Sequence, residues 1–196
     1  MMDLQPSREG RPLMPPARTF RRAVVAGLLC IAATALGLPE LGAPAPAFAV
    51  VSPDGVELSL ASLRGGTFAL FYETRETVEQ NREFKKEFGR LRDESEAVRA
   101  GVRIAAVVNA SAANVLTRGV WRSKLRENAR REGLTIYADW SGRMAADYAM
   151  MPEASNVLIV DAQGVVRFAR AGPLSETDRR AALELLRALA AERTQR

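Results

Sequence analysis

The chain has 196 residues, 47% hydrophobic and 26% charged, which fits one globular domain with a real core and excludes a disordered chain. Its net charge of +5 does not imply a nucleic-acid surface, because five Arg and only two acids precede Ala23 and the rest is close to neutral, too weak a field to track phosphates. There is no His, and the single Cys is Cys30; this excludes His-based acid–base catalysis, Ser-His and Cys-His nucleophiles, an intramolecular disulfide and a Cys- or His-based metal site.

Arg18, Arg21 and Arg22 precede an uncharged run over 23–38. That run has 16 residues, and a helix needs about 20 to span a bilayer. A basic segment, an apolar segment and the small-residue exit Ala33-Thr34-Ala35 describe a secretory signal peptide over 1–35. A start at Met14 gives the basic segment a more ordinary length. Cleavage after Ala35 removes Cys30 and leaves a product without cysteine. Two other readings stay open: an uncleaved membrane anchor over 23–38, and a buried core helix. Lipid attachment at Cys30 fits poorly after the large Leu29, and a twin-Arg signal at Arg21-Arg22 fits poorly between Phe20 and Ala23. The expected location is periplasmic or secreted, with membrane contact only if 23–38 stays uncleaved.

Residues 36–47, rich in Pro, Gly and Ala, read as a linker, and 48–193 as the folded domain. Phe48–Val51 and Val56–Leu60 are short strands around Ser52-Pro53-Asp54-Gly55, where Asp-Gly suits a hairpin turn. Residues 59–64 make one helical turn stopped by Gly65-Gly66. The apolar run Phe68–Tyr72 is the central strand. A helix follows from about Thr77 to Arg99, with Val78, Phe84, Phe88 and Leu91 on its inner face. Thr77 and Gln80 have capping-box spacing, and Gly89 marks the place for a bend or break. Then come an apolar strand over 102–108, a basic helix over 114–131 ended by Gly133, and a strand over 134–138. A short helix ending near Met150 leads to strands over 156–161 and 165–170, joined by Ala162-Gln163-Gly164. Ser175 and Asp178 cap a last helix with Ala182, Leu185, Leu186 and Leu189 inward. Non-alternating apolar strands between helices predict an α/β sheet covered on both faces.

The blocks Gly42-Ala43-Pro44-Ala45-Pro46-Ala47-Phe48, Asp54-Gly55, Leu60-Ala61-Ser62-Leu63-Arg64-Gly65, Phe68–Tyr72 and Asn156–Gly164 with Gly172 resemble the thioredoxin-like superfamily, in its peroxiredoxin and TlpA-type branch. Within it, Phe71-Tyr72-Glu73 with Glu79-Gln80-Asn81, Ala138-Asp139-Trp140-Ser141-Gly142 and Arg170–Ser175 are similar to YtfJ-like periplasmic proteins. The resemblance implies a three-layer α/β/α fold with an N-terminal β-hairpin extension and a mixed central sheet. It implies that the strands over 134–138 and 156–161 flank the central strand in one sheet. Redox-active relatives open the helix after the central strand with Cys-x-x-Cys; the counterpart here is Glu76-Thr77-Val78-Glu79. They place a cis-Pro just before the fourth strand; here that position is near Ser155. Disulfide exchange needs a thiolate, so the resemblance carries over the fold and not the activity.

Ligands of α/β sheets gather past the carboxyl ends of strands, which directs attention to Glu73, Glu76, Glu79, Asp139, Trp140 and Ser155. The three Glu form an acidic patch for a cation or basic peptide, or merely complement a helix dipole. Asp139 is an acid–base group or a helix cap, and Trp140 a stacking surface or a packing residue. Trp121 with Arg118, Arg122, Arg126, Arg130 and Arg131 is a basic face for anionic lipid or an acidic partner, or a solvated face. No catalytic set, metal-ligand set or cofactor motif is recognisable. The expected function is a redox-inactive binding or structural module for an envelope protein or peptide. The alternatives are a thiol-free oxidoreductase or peroxidase relative, a carboxylate-based enzyme, or a membrane-anchored partner protein. Amino-terminal mass measurement is expected to read Met14 on the unprocessed product and Leu36 on the exported one.

Overall fold

The computed structural model describes residues 37–194. The expected signal peptide, 1–35, with Cys30 and Met14, lies outside the described residues, as does all but the end of the 23–38 run. Among the described residues, no helix is long and apolar enough to cross a membrane.

The elements run β1 (Ala49–Val51), β2 (Glu57–Ser59), α1 (Leu60–Leu63), β3 (Thr67–Glu73), α2 (Arg82–Glu94), α3 (Glu96–Gly101), β4 (Val102–Asn109), α4 (Arg118–Glu132), β5 (Ile136–Asp139), α5 (Arg143–Asp147), β6 (Asn156–Val160), β7 (Val166–Ala171) and α6 (Glu176–Thr194). All seven strands form one mixed sheet in the order β2-β1-β5-β4-β3-β6-β7. The pairs β3–β4 and β4–β5 are parallel, and β3–β6, β6–β7, β1–β2 and β1–β5 are antiparallel. The central strand is therefore flanked by β4 and β6. The strand expected over 134–138 is in the same sheet but one place further out, beyond β4. Helix α4 connects β4 to the parallel strand β5 on the outer side of β4, since β3 already occupies the inner side.

Every residue of β3 is buried, as a strand covered on both faces requires. Phe68, Leu70 and Tyr72 face a cluster with Phe48, Val50, Leu63, Met144 and Tyr148. Ala69 and Phe71 face the opposite cluster, built from Phe84, Phe88 and Leu91 of α2, Val98 of α3, and Ala182, Leu186 and Leu189 of α6. Helix α4 packs on the same side through Leu125 and Trp121 against Ile136 and Ala138, which alternate with the Tyr137 of the first cluster. These are the three layers expected: α1, α5 and the N-terminal segment on one face, α2, α3, α4 and α6 on the other. The Asp-Gly hairpin forms as read, with Gly55 at φ 87° and Ser52 Oγ accepting from the Asp54 and Val56 amides. Within 36–47, the Gly42 and Ala45 amides donate to the Val166 and Gly164 carbonyls, so this stretch runs along the β6–β7 hairpin. The Tyr148 hydroxyl donates to the Pro46 carbonyl at 2.7 Å.

Three local expectations fail, each through side-chain competition for the backbone. The helix after β3 starts at Arg82, not Thr77. Thr77 Oγ1 accepts from the Thr74 amide at 2.8 Å and closes a turn, so no capping box forms with Gln80, and Val78 is exposed instead of inward. Glu76 and Glu79 consequently precede the helix. The break falls at Ser95, whose Oγ accepts from the Val98 amide and starts α3; Gly89 sits within an unbroken α2. Helix α4 starts at Arg118 because Asn114 Oδ1 accepts from the Leu116 and Thr117 amides and holds a preceding turn. The terminal caps are as read: Gly133 ends α4 at φ 64°, and Ser175 Oγ accepts from the Asp178 amide at the start of α6.

Candidate functional site

The register of β3 and β6 builds the site. Tyr72 pairs with Asn156, so one step further Glu73, the last residue of β3, meets Ser155, the residue before β6. The Glu73 carboxylate is buried. Its Oε1 accepts from the Ser155 hydroxyl at 2.7 Å, and its Oε2 accepts from Lys85 Nζ at 2.7 Å. Lys85 belongs to the first turn of α2, also donates to the Val78 carbonyl at 2.9 Å, and lies over the Phe71 ring. Burial pushes the Glu73 carboxyl above its ordinary range, and Lys85 and Ser155 hold part of that rise back.

Ser155 is fixed in turn by Gln80, which the sequence reading took as a helix-capping partner of Thr77, and by Asn81, which entered it only as part of a resembling stretch. Gln80 Oε1 accepts from the Ser155 amide at 2.8 Å. The Asn81 amide group donates to Ser155 Oγ at 2.9 Å and to the Gly172 carbonyl at 3.0 Å, while its Oδ1 accepts from the Leu174 amide at 2.9 Å. Asn156 completes the floor by donating to the Met151 and Ala154 carbonyls and accepting from the Met151 amide. Helix α2 therefore opens without a side-chain cap from Asn81, because Asn81 is spent on holding Ser155 against the β7–α6 connection. The signal for this was local after all: two amide side chains, Gln80-Asn81, directly ahead of an apolar helix face. No cis peptide bond occurs among the described residues.

The other site residues do not converge on this cluster. Asp139 is buried on the opposite face of the sheet. Its Oδ2 accepts from the Tyr72 hydroxyl at 3.1 Å and from the Ala145 amide at 3.2 Å, and its Oδ1 accepts from Ser141 Oγ at 3.0 Å. It ties β3, β5 and α5 together; the N-cap position of α5 itself is Gly142. Burial first, and the neighbouring Asp139 charge second, push the Tyr72 hydroxyl far above the ordinary phenol range. Glu76 and Glu79 are exposed in the 74–81 segment; Glu79 pairs with Arg82 at 2.8 Å. The three Glu thus do not form one patch: one is internal and two are on the surface. Trp140 is half-buried against the α4 cluster, and the Arg118 and Arg122 guanidiniums lie 5.0 and 5.9 Å from its ring centroid. The basic face is partly spoken for as well, since Arg126 donates to Asp54 and to the Pro53 carbonyl. Among the described residues no cluster of His, Cys, Asp and Glu could hold a metal.

Beside the exposed Glu76 and Glu79, this edge also carries open apolar surface. Of the seven exposed large hydrophobic residues among the described residues, Val78, Val115, Leu116, Val120 and Met151 lie on the segments that follow β3, β4 and α5. Only Leu41 and Val56 lie elsewhere. Val115 and Leu116 are 91% and 90% exposed.

No family model matches the chain, and no curated protein matches it in sequence. Solved structures do. A candidate protein disulfide isomerase from Bacteroides thetaiotaomicron superposes with a TM-score of 0.59 at 17% identity, covering 79% of this chain and 94% of that one. A candidate thiol:disulfide interchange protein DsbE from Chlorobium tepidum gives a TM-score of 0.59 at 16% identity, covering 77% and 98%. A thiol peroxidase from Chromobacterium violaceum gives 0.55 at 16% identity, covering 77% and 87%. The fold is thioredoxin-like.

Replacing Lys85 by Met leaves the Glu73 charge buried without its cation. The expected loss is about 1–3 kcal/mol at pH 7, read by denaturant unfolding. A carboxyl raised by folding binds its proton more tightly in the native state, so its contribution to stability falls as pH rises from its unfolded value near 4.5 through its folded value. The Lys85→Met penalty therefore shrinks on acidification toward pH 4, and Glu73→Gln in the same background removes that pH dependence. Asn81→Ala strips three hydrogen bonds and is expected to cost about 2–3 kcal/mol, with faster hydrogen exchange at the Leu174 amide.

Proposed function

We propose that this chain is an exported, redox-inactive thioredoxin-like protein of the YtfJ-like kind that holds a protein or peptide partner at the carboxyl edge of its sheet. The observation that carries this reading is the division of labour at that edge. The polar groups Glu73, Lys85, Asn81 and Ser155 are occupied by one another, and Asp139 by Tyr72, Ser141 and the Ala145 amide on the other face, while Val78, Val115, Leu116, Val120 and Met151 present apolar surface around them. Apolar side chains gathered at one rim are what a partner surface offers. Glu76, Glu79 and Trp140 border the same rim and supply charge and an aromatic edge.

Two features support the redox-inactive part. The thiol chemistry named for the interchange protein and the peroxidase requires a thiolate, and the single Cys of this chain lies in the 23–38 run, ahead of the domain. The segment between β3 and α2 is instead held shut by Thr77, Gln80 and Asn81. Export rests on the basic and apolar amino-terminal pattern. A carboxylate-based enzyme is the second reading. The burial-raised Glu73 favours it, and the occupation of both its oxygens opposes it.

Immobilised protein equilibrated with envelope extract is expected to retain a partner. Leu116→Asp and Trp140→Ala are expected to reduce that retention at least tenfold. Leu116 is exposed, so its replacement changes stability by no more than about 0.5 kcal/mol. Retention equal to the unsubstituted protein in both variants removes this edge from the proposal. Insulin-disulfide reduction and peroxide consumption are expected at background; turnover in either overturns the redox-inactive reading.

A further inference from the structure

The opposite end of the sheet carries a groove of about 390 Å³ between the ends of α2 and α3, the start of β4 and the 133–135 loop. Arg92, Arg99 and Arg103 line it, with Ile104, Leu134 and Tyr137 as its apolar and aromatic wall, and no acidic residue contributes. None of these three guanidiniums is in an ion pair among the described residues. Arg103 Nη1 donates to the Ser62 carbonyl at 2.9 Å, and Arg92 Nε is buried with no hydrogen-bond partner.

Helix dipoles explain part of this arrangement. Arg92 and Arg99 sit in the last turns of α2 and α3, where a cation is favoured. Arg103 is on a strand but also meets a helix end, the Ser62 carbonyl in the last turn of α1; what helix ends do not account for is the Arg92 Nε–H, a buried donor without a partner among the described residues, of the kind native proteins pair almost without exception. Arg92, Arg99 and Arg103 line one groove with no carboxylate among its lining residues, and an anion there supplies the charge they lack. Guanidinium is the side chain best suited to phosphate oxygens, and three un-neutralised cations match a dianion better than a single carboxylate.

We propose that this groove binds a phosphate-bearing ligand, with Arg92, Arg99 and Arg103 holding the phosphate and Ile104, Leu134 and Tyr137 contacting its organic part. The site is independent of the reading at the carboxyl edge. Inorganic phosphate and glycerol phosphate are titrated against the protein, following the Arg Nε resonances and the thermal midpoint, with sodium chloride at matched ionic strength as the reference. A saturable rise in midpoint beyond the chloride reference is expected, with a shift of the Arg92 Nε signal. Arg92→Gln and Arg99→Gln are expected to weaken binding tenfold or more, whereas Arg90→Gln, the same charge change on the exposed side of α2, leaves it unchanged. Arg99 is exposed, so its variant keeps the test decisive should Arg92→Gln not fold. A parallel arm measures co-sedimentation with phosphatidylglycerol–phosphatidylcholine vesicles against pure phosphatidylcholine. Anionic-vesicle binding lost in both groove variants supports the site and identifies a lipid headgroup as the phosphate source. Midpoint shifts no larger than with chloride, together with vesicle binding that is absent or unaffected by Arg92→Gln and Arg99→Gln, overturn the proposal.

Discussion

The structure turns on one buried charge. Glu73 ends the central strand where both faces of the sheet are covered, and a carboxylate there is costly unless it is paired and hydrogen-bonded. The groups that pair it come from far apart in the chain: Lys85 from α2, and Ser155, which is 82 residues away, from the entry to β6. Ser155 is positioned by Gln80 and Asn81, and Asn81 reaches the backbone at Gly172 and Leu174. A single desolvated carboxylate thus couples β3, α2, β6 and the lead into α6. It also explains an oddity of local structure. The 74–81 segment has the composition of a helix start, but its amides close local turns around Thr77 and its Gln80 and Asn81 side chains are committed to this network, so α2 begins only at Arg82.

A network of this kind rigidifies the edge of the sheet without leaving reactive groups free. In a low-dielectric interior, each satisfied member strengthens the next, and each unsatisfied one is expensive. Glu73, Ser155 and Asn81 all have partners, and Asp139 is similarly occupied on the other face by Tyr72, Ser141 and Ala145. The edge therefore behaves as a fixed platform. What varies in exposure and offers free energy on contact is the apolar rim, above all Val115 and Leu116 on the turn that Asn114 holds.

The parts of the fold set by short-range pattern were legible in the residues. Apolar runs located β3, β4 (despite Arg103 within it) and β6; Asp54-Gly55 located the hairpin; Ser175 with Asp178 located the start of α6, and Gly133 the end of α4. The failures come from side chains competing for the backbone, some with near neighbours, as Thr77, Ser95 and Asn114 do, and some with partners distant in sequence. Thr77 and Gln80 have the spacing of a cap, but tertiary partners outbid the helix for Gln80. Val78 fits the helical period, but the helix does not extend to it. The strand order likewise depends on where α4 carries the chain, not on the strands themselves. At the site, Glu73 and Ser155 were both chosen, for strand-end position and for resemblance, yet nothing within either neighbourhood announces that they bond to each other. Their pairing follows only from the antiparallel register of β3 and β6.

The same topology sorts charge. In a sheet whose helices return antiparallel to the strands, helix carboxyl ends collect at one pole. Here α2, α3, α4 and α6 carry Arg92, Arg99, Arg130 with Arg131, and Arg193 in their last turns. Arg193 Nη1 reaches the Ala100 and Gly101 carbonyls at the end of α3, so helix ends and guanidiniums interleave. The opposite pole holds Glu73, Glu76 and Glu79 and the exposed apolar turns. A nearly neutral domain can thus present two chemically distinct ends, and the net charge describes neither. The dipoles make the basic pole inexpensive to build, since each guanidinium there partly neutralises a helix end. Where the Arg side chains outnumber what the helix ends can absorb, as in the groove beside β4, the excess positive potential is a property of the fold's geometry rather than of its composition.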